Sequence, residues 1–222
     1  MKFYRRVLTP SFLLTIAFLL LRSSGTAHAE MILNGSFELP ALTAGSITDF
    51  TLGQTIGQGW IVGGQNNVRL LNNPGAPNGV QQLAFLPFPS NIFQDIPLLS
   101  SSTDYRVNFQ MSAFSTFAPG NLTVDILRNG NTLGSQAFSQ LALAGTSDFE
   151  YASKSFTFRT SDAGMYRIQF TGGTFTPTYL DAVSLTAVPE PSTVVALSTL
   201  LCMFGFRHQR RKRRRPLSVH TC

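Results

Sequence analysis

Residues 105–112, Tyr105-Arg106-Val107-Asn108-Phe109-Gln110-Met111-Ser112, alternate between apolar and polar side chains. Successive side chains of a β-strand point to opposite faces, so this pattern predicts a strand with one buried face and one wet face. Residues 155–159 and 166–170 repeat the alternation. Between residues 31 and 187 no stretch has the sustained apolar spacing of an amphipathic helix. The middle of the chain is therefore predicted to be all strand.

Turn-forming residues divide this region into about ten short strands. Residues 122–128 and 132–138 flank Asn129-Gly130, a pair that favours the positive φ angles of a tight hairpin turn. Further strands are predicted at residues 32–37, 60–62, 68–71, 81–86, 92–96 and 180–186. With no internal repeat and no linker, the pattern predicts one all-β domain, an antiparallel two-sheet jelly-roll sandwich whose core is rich in phenylalanine.

The positive charge of the chain is concentrated at its two ends. Eleven of the 17 Lys and Arg residues lie in residues 2–22 and 207–215, whereas residues 30–187 hold six basic and ten acidic residues, a net charge of −4. A mildly acidic domain is a poor partner for nucleic acid, so nucleic-acid binding by the folded region is disfavoured.

Cysteine and histidine are missing from the predicted domain. Both cysteines, Cys202 and Cys222, and all three histidines, His28, His208 and His220, lie outside residues 30–187. This distribution excludes a disulfide framework, a thiolate metal site and imidazole catalysis within the domain.

The first 29 residues are predicted to be a secretory signal peptide. Three basic residues precede a mostly apolar stretch over residues 7–21, and Ala27-His28-Ala29 has the small-x-small form that precedes cleavage. An uncleaved anchor is the alternative, but Pro10 and neighbouring polar residues interrupt the stretch. The mature chain is expected to begin at Glu30.

The C-terminal region has three consecutive parts: Pro189-Glu190-Pro191, an apolar segment over residues 192–206, and seven basic residues within 207–215. As a helix the apolar segment would rise roughly 22 Å, short of a hydrocarbon core of about 30 Å, so it is predicted to be a short membrane helix and a marginal anchor. Its basic flank should stay in the cytoplasm with the domain outside. A basic run that binds lipid headgroups or nucleic acid is the alternative.

This order of parts resembles the PEP-CTERM sorting signal of Gram-negative bacteria. The resemblance implies that an exosortase recognises Pro189, Glu190 and Pro191, removes the tail, and releases an inner-membrane-anchored protein to the cell surface or extracellular matrix. The predicted organisation is then a signal peptide at 1–29, a jelly-roll domain at 30–187, a sorting signal at 188–215 and a tail at 216–222, which extends beyond the usual basic end of such signals.

Three motifs in order carry a second resemblance: Asn34-Gly35-Ser36-Phe37-Glu38 opens the domain, Gly59-Trp60 follows, and residues 180–185, Leu-Asp-Ala-Val-Ser-Leu, close it. Together they resemble galactose-binding-like jelly rolls, among them carbohydrate-binding modules. The resemblance implies that Glu38 and Asp181 lie side by side and hold a structural Ca²⁺. The alternative is that Glu38 binds a backbone amide or an arginine and that Asp181 caps a turn.

Aromatic residues in predicted loops are candidates for stacking against a sugar ring. They are Phe114 and Phe117 in one loop and Tyr179 after Pro177, with Phe85 and Phe88 as a further option. Trp60 follows a glycine-rich turn and opens a predicted strand, so it is expected in the core. The alternative for the loop aromatics is that they cover the ends of the sandwich.

Enzymatic function finds little support in the sequence. No G-x-S-x-G elbow, phosphate-binding loop or dinucleotide-binding glycine pattern is present. Paired carboxylates could hydrolyse glycosides, and the available residues are Asp95, Asp104, Asp125, Asp148, Glu150 and Asp162. We therefore expect a non-enzymatic exported protein that binds extracellular polysaccharide. The alternatives are an adhesive module that binds proteins and, less favoured, a glycoside hydrolase.

Overall fold

Twelve β-strands form two antiparallel sheets of six strands each. The structure is a computed structural model that describes residues 31–73, 75–114, 118–142, 150–173 and 175–188, and within these residues it contains no helix. The strands are β1 Ile47–Phe50, β2 Thr55–Ile56, β3 Trp60–Val62, β4 Val68–Asn72, β5 Gln81–Phe85, β6 Asn91–Leu99, β7 Asp104–Ala113, β8 Gly120–Arg128, β9 Asn131–Gln140, β10 Ala152–Arg159, β11 Gly164–Gly172 and β12 Thr178–Val188.

Sheet A has the strand order β1-β4-β5-β12-β7-β10, and sheet B has the order β2-β3-β6-β11-β8-β9. The two sheets pack face to face, as in a jelly roll. The predicted all-β, antiparallel two-sheet jelly-roll sandwich is confirmed. The signal helix and the C-terminal membrane helix of that prediction lie outside the described residues.

Alternation along the strands produces the core between the sheets. Val107, Phe109 and Met111 of β7 are buried, as the sequence pattern predicts. The rings of Phe109 in sheet A and Phe170 in sheet B meet edge to face with centroids 5.3 Å apart. Phe170 also contacts Trp60, at 5.8 Å. A chain of aromatic contacts thus joins the two sheets, and the prediction that Trp60 is a core residue is confirmed.

The β8–β9 hairpin forms where the sequence predicts it. Asn129 and Gly130 connect the strands with φ angles of 52° and 80°. Asparagine and glycine tolerate this left-handed region better than other residues, which explains their place in a tight antiparallel turn.

The predicted strand at residues 32–37 is wrong. This segment is a turn in which Asn34 and Phe37 have φ angles of 50° and 55°. The Asn34 side chain holds the turn, because its Oδ1 accepts a hydrogen bond from the Leu39 N–H at 3.0 Å and its Nδ2 donates to the Leu39 carbonyl at 2.8 Å. Ile32 and Phe37 are nevertheless buried. Ile32 and Phe37 are apolar because the turn packs their side chains into the core.

The opening turn is fastened to the last strand. The Val183 N–H donates a hydrogen bond of 2.8 Å to the Gly35 carbonyl. At this point β12 is irregular: its register against β7 shifts between Asp181 and Ser184, and Ala182 has a φ angle of 51°. The shift turns the β12 backbone towards the opening turn, so the two ends of the domain meet here.

Within the described stretches, no helix is long and apolar enough to cross a bilayer. The apolar segments that the sequence analysis assigns to the two ends lie outside those stretches.

Gly35 should not tolerate a side chain. A Cβ atom on Gly35 would lie 2.0 Å from the Val183 carbonyl oxygen, which belongs to the backbone and cannot move alone. We expect Gly35→Ala to lower the free energy of unfolding by about 2–3 kcal/mol, a typical cost of overpacking. The matched control is Gly134→Ala, whose nearest neighbour is the end of the Phe156 ring at 3.1 Å, and urea denaturation measures both. Equal stability of the two variants would contradict this account.

Candidate functional site

Asp181 is a fully buried carboxylate at the start of the β12 irregularity. Its Oδ2 accepts a hydrogen bond from the Asn78 N–H at 3.0 Å, and its Oδ1 accepts one from the Ala182 N–H at 2.6 Å. The left-handed backbone of Ala182 turns that N–H back towards the carboxylate. A carboxylate is thus held in the interior by backbone dipoles instead of a cationic side chain.

Glu38 follows the opening turn and approaches the loop before β5. Its Oε1 accepts hydrogen bonds from the N–H groups of Val80 and Gln81, both at 2.8 Å. Gly79 has a φ angle of 95°, which glycine adopts readily, and a Cβ atom there would lie 2.2 Å from that oxygen, so glycine allows the loop to approach the carboxylate closely. The sequence analysis gave hydrogen bonding to a backbone amide as one alternative role for Glu38, and these contacts are of that kind.

Glu38 and Asp181 are close enough to interact electrostatically. Burial raises the pKa of Asp181 to about 7, its two amide hydrogen bonds oppose that rise, and the negative charge of Glu38 adds to it. No lysine or arginine of the described stretches forms an ion pair with either carboxylate. A buried carboxyl group and a partly exposed carboxylate therefore lie near each other without a cationic partner among the described residues.

This arrangement fits the donor set that a hard cation requires. Glu38 Oε2 accepts no hydrogen bond from a described residue, so its lone pairs are available to a ligand. Across the described part of the chain, no cluster of three His, Cys, Asp or Glu residues occurs. A Ca²⁺ ion here would complete its six to eight oxygen ligands with backbone carbonyls and water.

A second feature lies at one end of the sandwich, where three exposed phenylalanines project from neighbouring loops. Thr178 at the start of β12 is paired with Phe85 at the end of β5 and with Ala113 at the end of β7, so the loops beyond these residues emerge together. They carry Phe88, Phe114 and Phe175, which are 59%, 66% and 86% exposed. We call these three residues the aromatic end.

The loops of the aromatic end carry no charge. Residues 86–90, 114–119 and 173–177 contain no Asp, Glu, Lys or Arg. Exposed aromatic rings in an uncharged setting suit a partner with an apolar or neutral surface, because no charged group there has to be desolvated.

The aromatic residues singled out in the sequence have different positions in the fold. Phe114 is exposed, Phe117 lies outside the described residues, and Tyr179 is buried. The expectation of an exposed platform is therefore wrong for Tyr179, because β12 begins at Thr178 and turns this side chain onto a covered part of sheet A. Phe85 is also buried, within β5.

Phe175 was not among the aromatic residues predicted from the sequence, although it is the most exposed of the three rings. It lies in Gly173-Thr174-Phe175-Thr176-Pro177, a short turn-rich stretch between two predicted strands. The criterion that selected Phe114, an aromatic residue between turn residues, would have found it.

Four of the six carboxylates considered for hydrolysis hold polar partners. Asp95 pairs with Arg167 at 2.8 Å, Asp104 with Arg159 at 3.4 Å and Asp162 with Arg128, and Asp125 accepts a hydrogen bond from Ser135. The Arg128 hydrogen bond lowers the pKa of Asp162, which suits it poorly to the role of general acid. Asp148 lies outside the described residues, as do Pro189, Glu190 and Pro191.

Comparison by sequence finds no matching family model and no similar curated protein. Comparison by structure finds TmCBM61, a module solved in complex with β-1,4-galactotriose, with a TM-score of 0.52 and 16% identity over 72% of this chain and 99% of that one. The module and this domain share a fold.

Two cyclase structures are equally similar. The apo form of a cyclase from Fischerella sp. has a TM-score of 0.53 and 18% identity, covering 72% of this chain and 96% of that chain. A cyclase structure from Fischerella sp. TAU gives 0.52 and 19%, covering 72% and 98%. The fold thus accommodates both a carbohydrate-binding module and an enzyme, so the function has to be argued from the residues of this chain.

Proposed function

We propose that this protein is an exported, surface-displayed domain that binds extracellular polysaccharide without chemical conversion, and that the aromatic end is a contact surface for it. The observation that carries the proposal is the group of three exposed phenylalanines on uncharged loops at one end of the sandwich. Their apolar surface is costly to leave in water and marks an interaction site.

The chemistry of a pyranose ring suits this surface. The C–H groups of a sugar ring form an apolar patch that packs against the face of an aromatic ring. Neighbouring strands are about 4.8 Å apart, so loops emerging from β5, β12 and β7 spread the three rings over roughly 10 Å. A surface of this width can contact more than one sugar unit. The absence of charge in these loops favours a neutral glycan.

The fold supports this class of ligand, because TmCBM61 has the same architecture and was solved with a galactose oligosaccharide. The identity of 16% transfers neither that sugar nor its contact residues to this chain. The adhesive alternative uses the same exposed rings, with a protein as partner. A glycan assay separates the two.

The direction of β12 separates the aromatic end from Val188, where the described residues end. This strand starts at Thr178, beside the aromatic end, and runs for 11 residues to Val188. At about 3.3 Å per residue, Val188 lies on the order of 35 Å away along the strand. A domain anchored through the chain beyond Val188 would therefore present its phenylalanines to the surrounding matrix.

Replacing the rings should abolish binding to insoluble glycan. We expect the triple variant Phe88→Ala, Phe114→Ala and Phe175→Ala of the full-length chain to lose at least tenfold in retention on the host's own exopolysaccharide and on neutral polysaccharides, because stacking surface is lost. Its thermal unfolding should be unchanged, since the rings are exposed. Co-sedimentation with the polysaccharide measures retention.

The matched control for the triple variant is Leu133→Ala on the edge strand β9, an exposed apolar residue far from these loops in the chain. It should bind as the parent does. Failure of the parent chain to bind any glycan of a broad panel would refute polysaccharide binding and leave the adhesive alternative.

We further propose that Glu38 and Asp181 hold a structural Ca²⁺. The support is the buried Asp181 carboxylate, the partly exposed Glu38 carboxylate near it, the absence of a cationic partner for either among the described residues, and the close approach of the Gly79 loop to Glu38. The ion would supply the missing positive charge and tie the opening turn, the loop before β5 and β12 together.

Calcium should change both the stability of the domain and its dependence on pH. In chelator the raised pKa of Asp181 favours its protonated form in the folded state, so its contribution to stability is present below about pH 4 and is lost as the pH rises through about 7. At pH 7.5, added Ca²⁺ should raise the melting temperature of the parent chain. Asp181→Asn should flatten the pH dependence and abolish the calcium effect.

The control is Asp49→Asn, which removes a carboxylate paired with Arg69 on the surface and should leave the calcium effect intact. Calorimetry with Ca²⁺, Mg²⁺ or EDTA provides the measurement. A parent melting temperature that is insensitive to Ca²⁺ would contradict the site.

The tail supports a proposal about the route to the surface. We infer that an exosortase cleaves near Pro189-Glu190-Pro191 after a signal peptidase has removed residues 1–29. Intact-mass spectrometry of the protein isolated from its host should find an N-terminus at Glu30 and no residues 192–222. Recovery of the chain from the cytosol with Met1 and Cys222 present would overturn this assignment.

A further inference from the structure

The outer face of sheet A, turned away from the core, carries uncharged polar side chains along its central strands. Because Val107, Phe109 and Met111 of β7 face the core, Asn108 and Gln110 face outward. They are paired in register with Ser155 and Ser153 of β10, and Gln110 Nε2 donates a hydrogen bond to Ser153 Oγ at 2.8 Å.

These four residues line a groove of about 330 Å³, together with Ala182 and parts of Phe109 and Lys154. Lys154 alternates to the other side of β10, opposite Phe109, and its Nζ reaches the Ser139 carbonyl of β9. The floor of the groove is therefore composed of amides and hydroxyls, the groups that exchange hydrogen bonds with a neutral hydroxylated ligand.

Tyr151 crosses this face. Its hydroxyl donates a hydrogen bond to Gln82 Oε1 of β5, although Tyr151 precedes β10 and the strands β7 and β12 lie between. Three strand spacings amount to about 14 Å, so the two side chains must extend towards each other along the sheet to meet. The half-buried phenol ring consequently lies over β7 and β12, beside the groove.

Two polar groups on this face are buried without a partner. Within the part of the chain that the structure describes, Gln82 Nε2 and Ser112 Oγ have no hydrogen-bond partner, and both residues are fully buried. Ser112 is paired with Tyr179 on β12, and Gln82 is held by Tyr151 through its carbonyl oxygen alone. Buried polar groups in folded proteins nearly always have a partner, so these two groups are available to bond a water molecule or a ligand hydroxyl group.

We propose that Tyr151, Gln82 and Ser112, with the adjoining groove, form a subsite for one neutral pyranose unit inside a glycan chain. This inference rests on the proposed function and deepens it. The sugar ring stacks on the Tyr151 phenol, and the Tyr151 side chain swings away from Gln82 as the sugar enters. Hydroxyl groups of the sugar accept from Gln82 Nε2 and exchange a hydrogen bond with Ser112 Oγ. The side chains that point into the groove are amides and hydroxyls, and none of them carries a charge that could pair with the carboxylate of a uronic acid. A neutral sugar is therefore the preferred unit.

The chain position of these residues supports binding in the interior of a glycan. Ser112 is two residues before Phe114, and Tyr179 opposite it is four residues after Phe175. The outer face of sheet A therefore continues from the aromatic end towards the groove. Ser112 and Tyr179 are buried in the free protein, so an extended glycan can lie across both surfaces only after the Tyr151 side chain has moved. The phenylalanines and Tyr151 would then contact successive parts of it.

The test uses isothermal titration of the full-length chain with β-1,4-galactotriose, xylotriose and cellotriose, and with trigalacturonate as the acidic comparison. We expect Tyr151→Ala to weaken binding of the best neutral trisaccharide at least tenfold, and Tyr151→Phe, which keeps the ring, to stay within about threefold of the parent. Gln82→Met and Ser112→Ala should each weaken binding about fivefold or more. Ser112→Ala should leave the melting temperature unchanged, because the Ser112 hydroxyl has no partner among the described residues of the free protein. Gln82→Met should lower the melting temperature, because it removes the acceptor of the Tyr151 hydroxyl.

Matched controls are Gln169→Met and Ser135→Ala in sheet B, which should bind as the parent does. Unchanged affinity of Tyr151→Ala, or preferred binding of trigalacturonate, would overturn the subsite. If the parent binds glycan and only the Phe88, Phe114 and Phe175 variant loses binding, the proposed function stands and this subsite falls. A parent chain that binds none of the trisaccharides and no polysaccharide overturns both.

Discussion

The structure depends on aromatic contacts that close the space between the two sheets. Phe109 of β7 meets Phe170 of β11, Phe170 meets Trp60 of β3, and Trp60 stacks on Phe37 of the opening turn with centroids 5.7 Å apart. Each ring buries a large apolar area, and together they link sheet A, sheet B and the N-terminal segment. With no cysteine within residues 30–187, these contacts and the smaller apolar side chains around them hold the sandwich together.

The core also fixes the two surfaces where a ligand is proposed. Once alternate residues of β7 and β12 face inward, their intervening residues must face outward, so Gln110, Ser112 and Asp181 are placed by the packing of their neighbours. The loops at the ends of β5, β7 and β12 emerge together for the same reason. A rigid sheet carrying polar side chains on one face and phenylalanines at one end suits recognition of an extended molecule.

Periodicity predicted the regular parts of the domain and failed where the chain is irregular. The strand β7 and the β8–β9 hairpin follow from alternation and from the Asn129-Gly130 turn, both local signals. Residues 32–37 have the apolar spacing of a strand, yet the capping side chain of Asn34 and two left-handed φ angles make them a turn. The burial of Tyr179 depends on what covers sheet A, which a single strand cannot reveal. Tyr151 and Gln82 are 69 residues apart, and nothing local signals their contact.

The last strand of the described residues, β12, occupies an interior position in sheet A, between β5 and β7. Before residues 178–188 have been synthesised, β5 and β7 each have an edge with unpaired backbone hydrogen-bonding groups. No strand is yet present to lie between them. Sheet A can therefore be completed only after residues 178–188 have been synthesised, and a chaperone that shields unpaired strand edges would act in that interval.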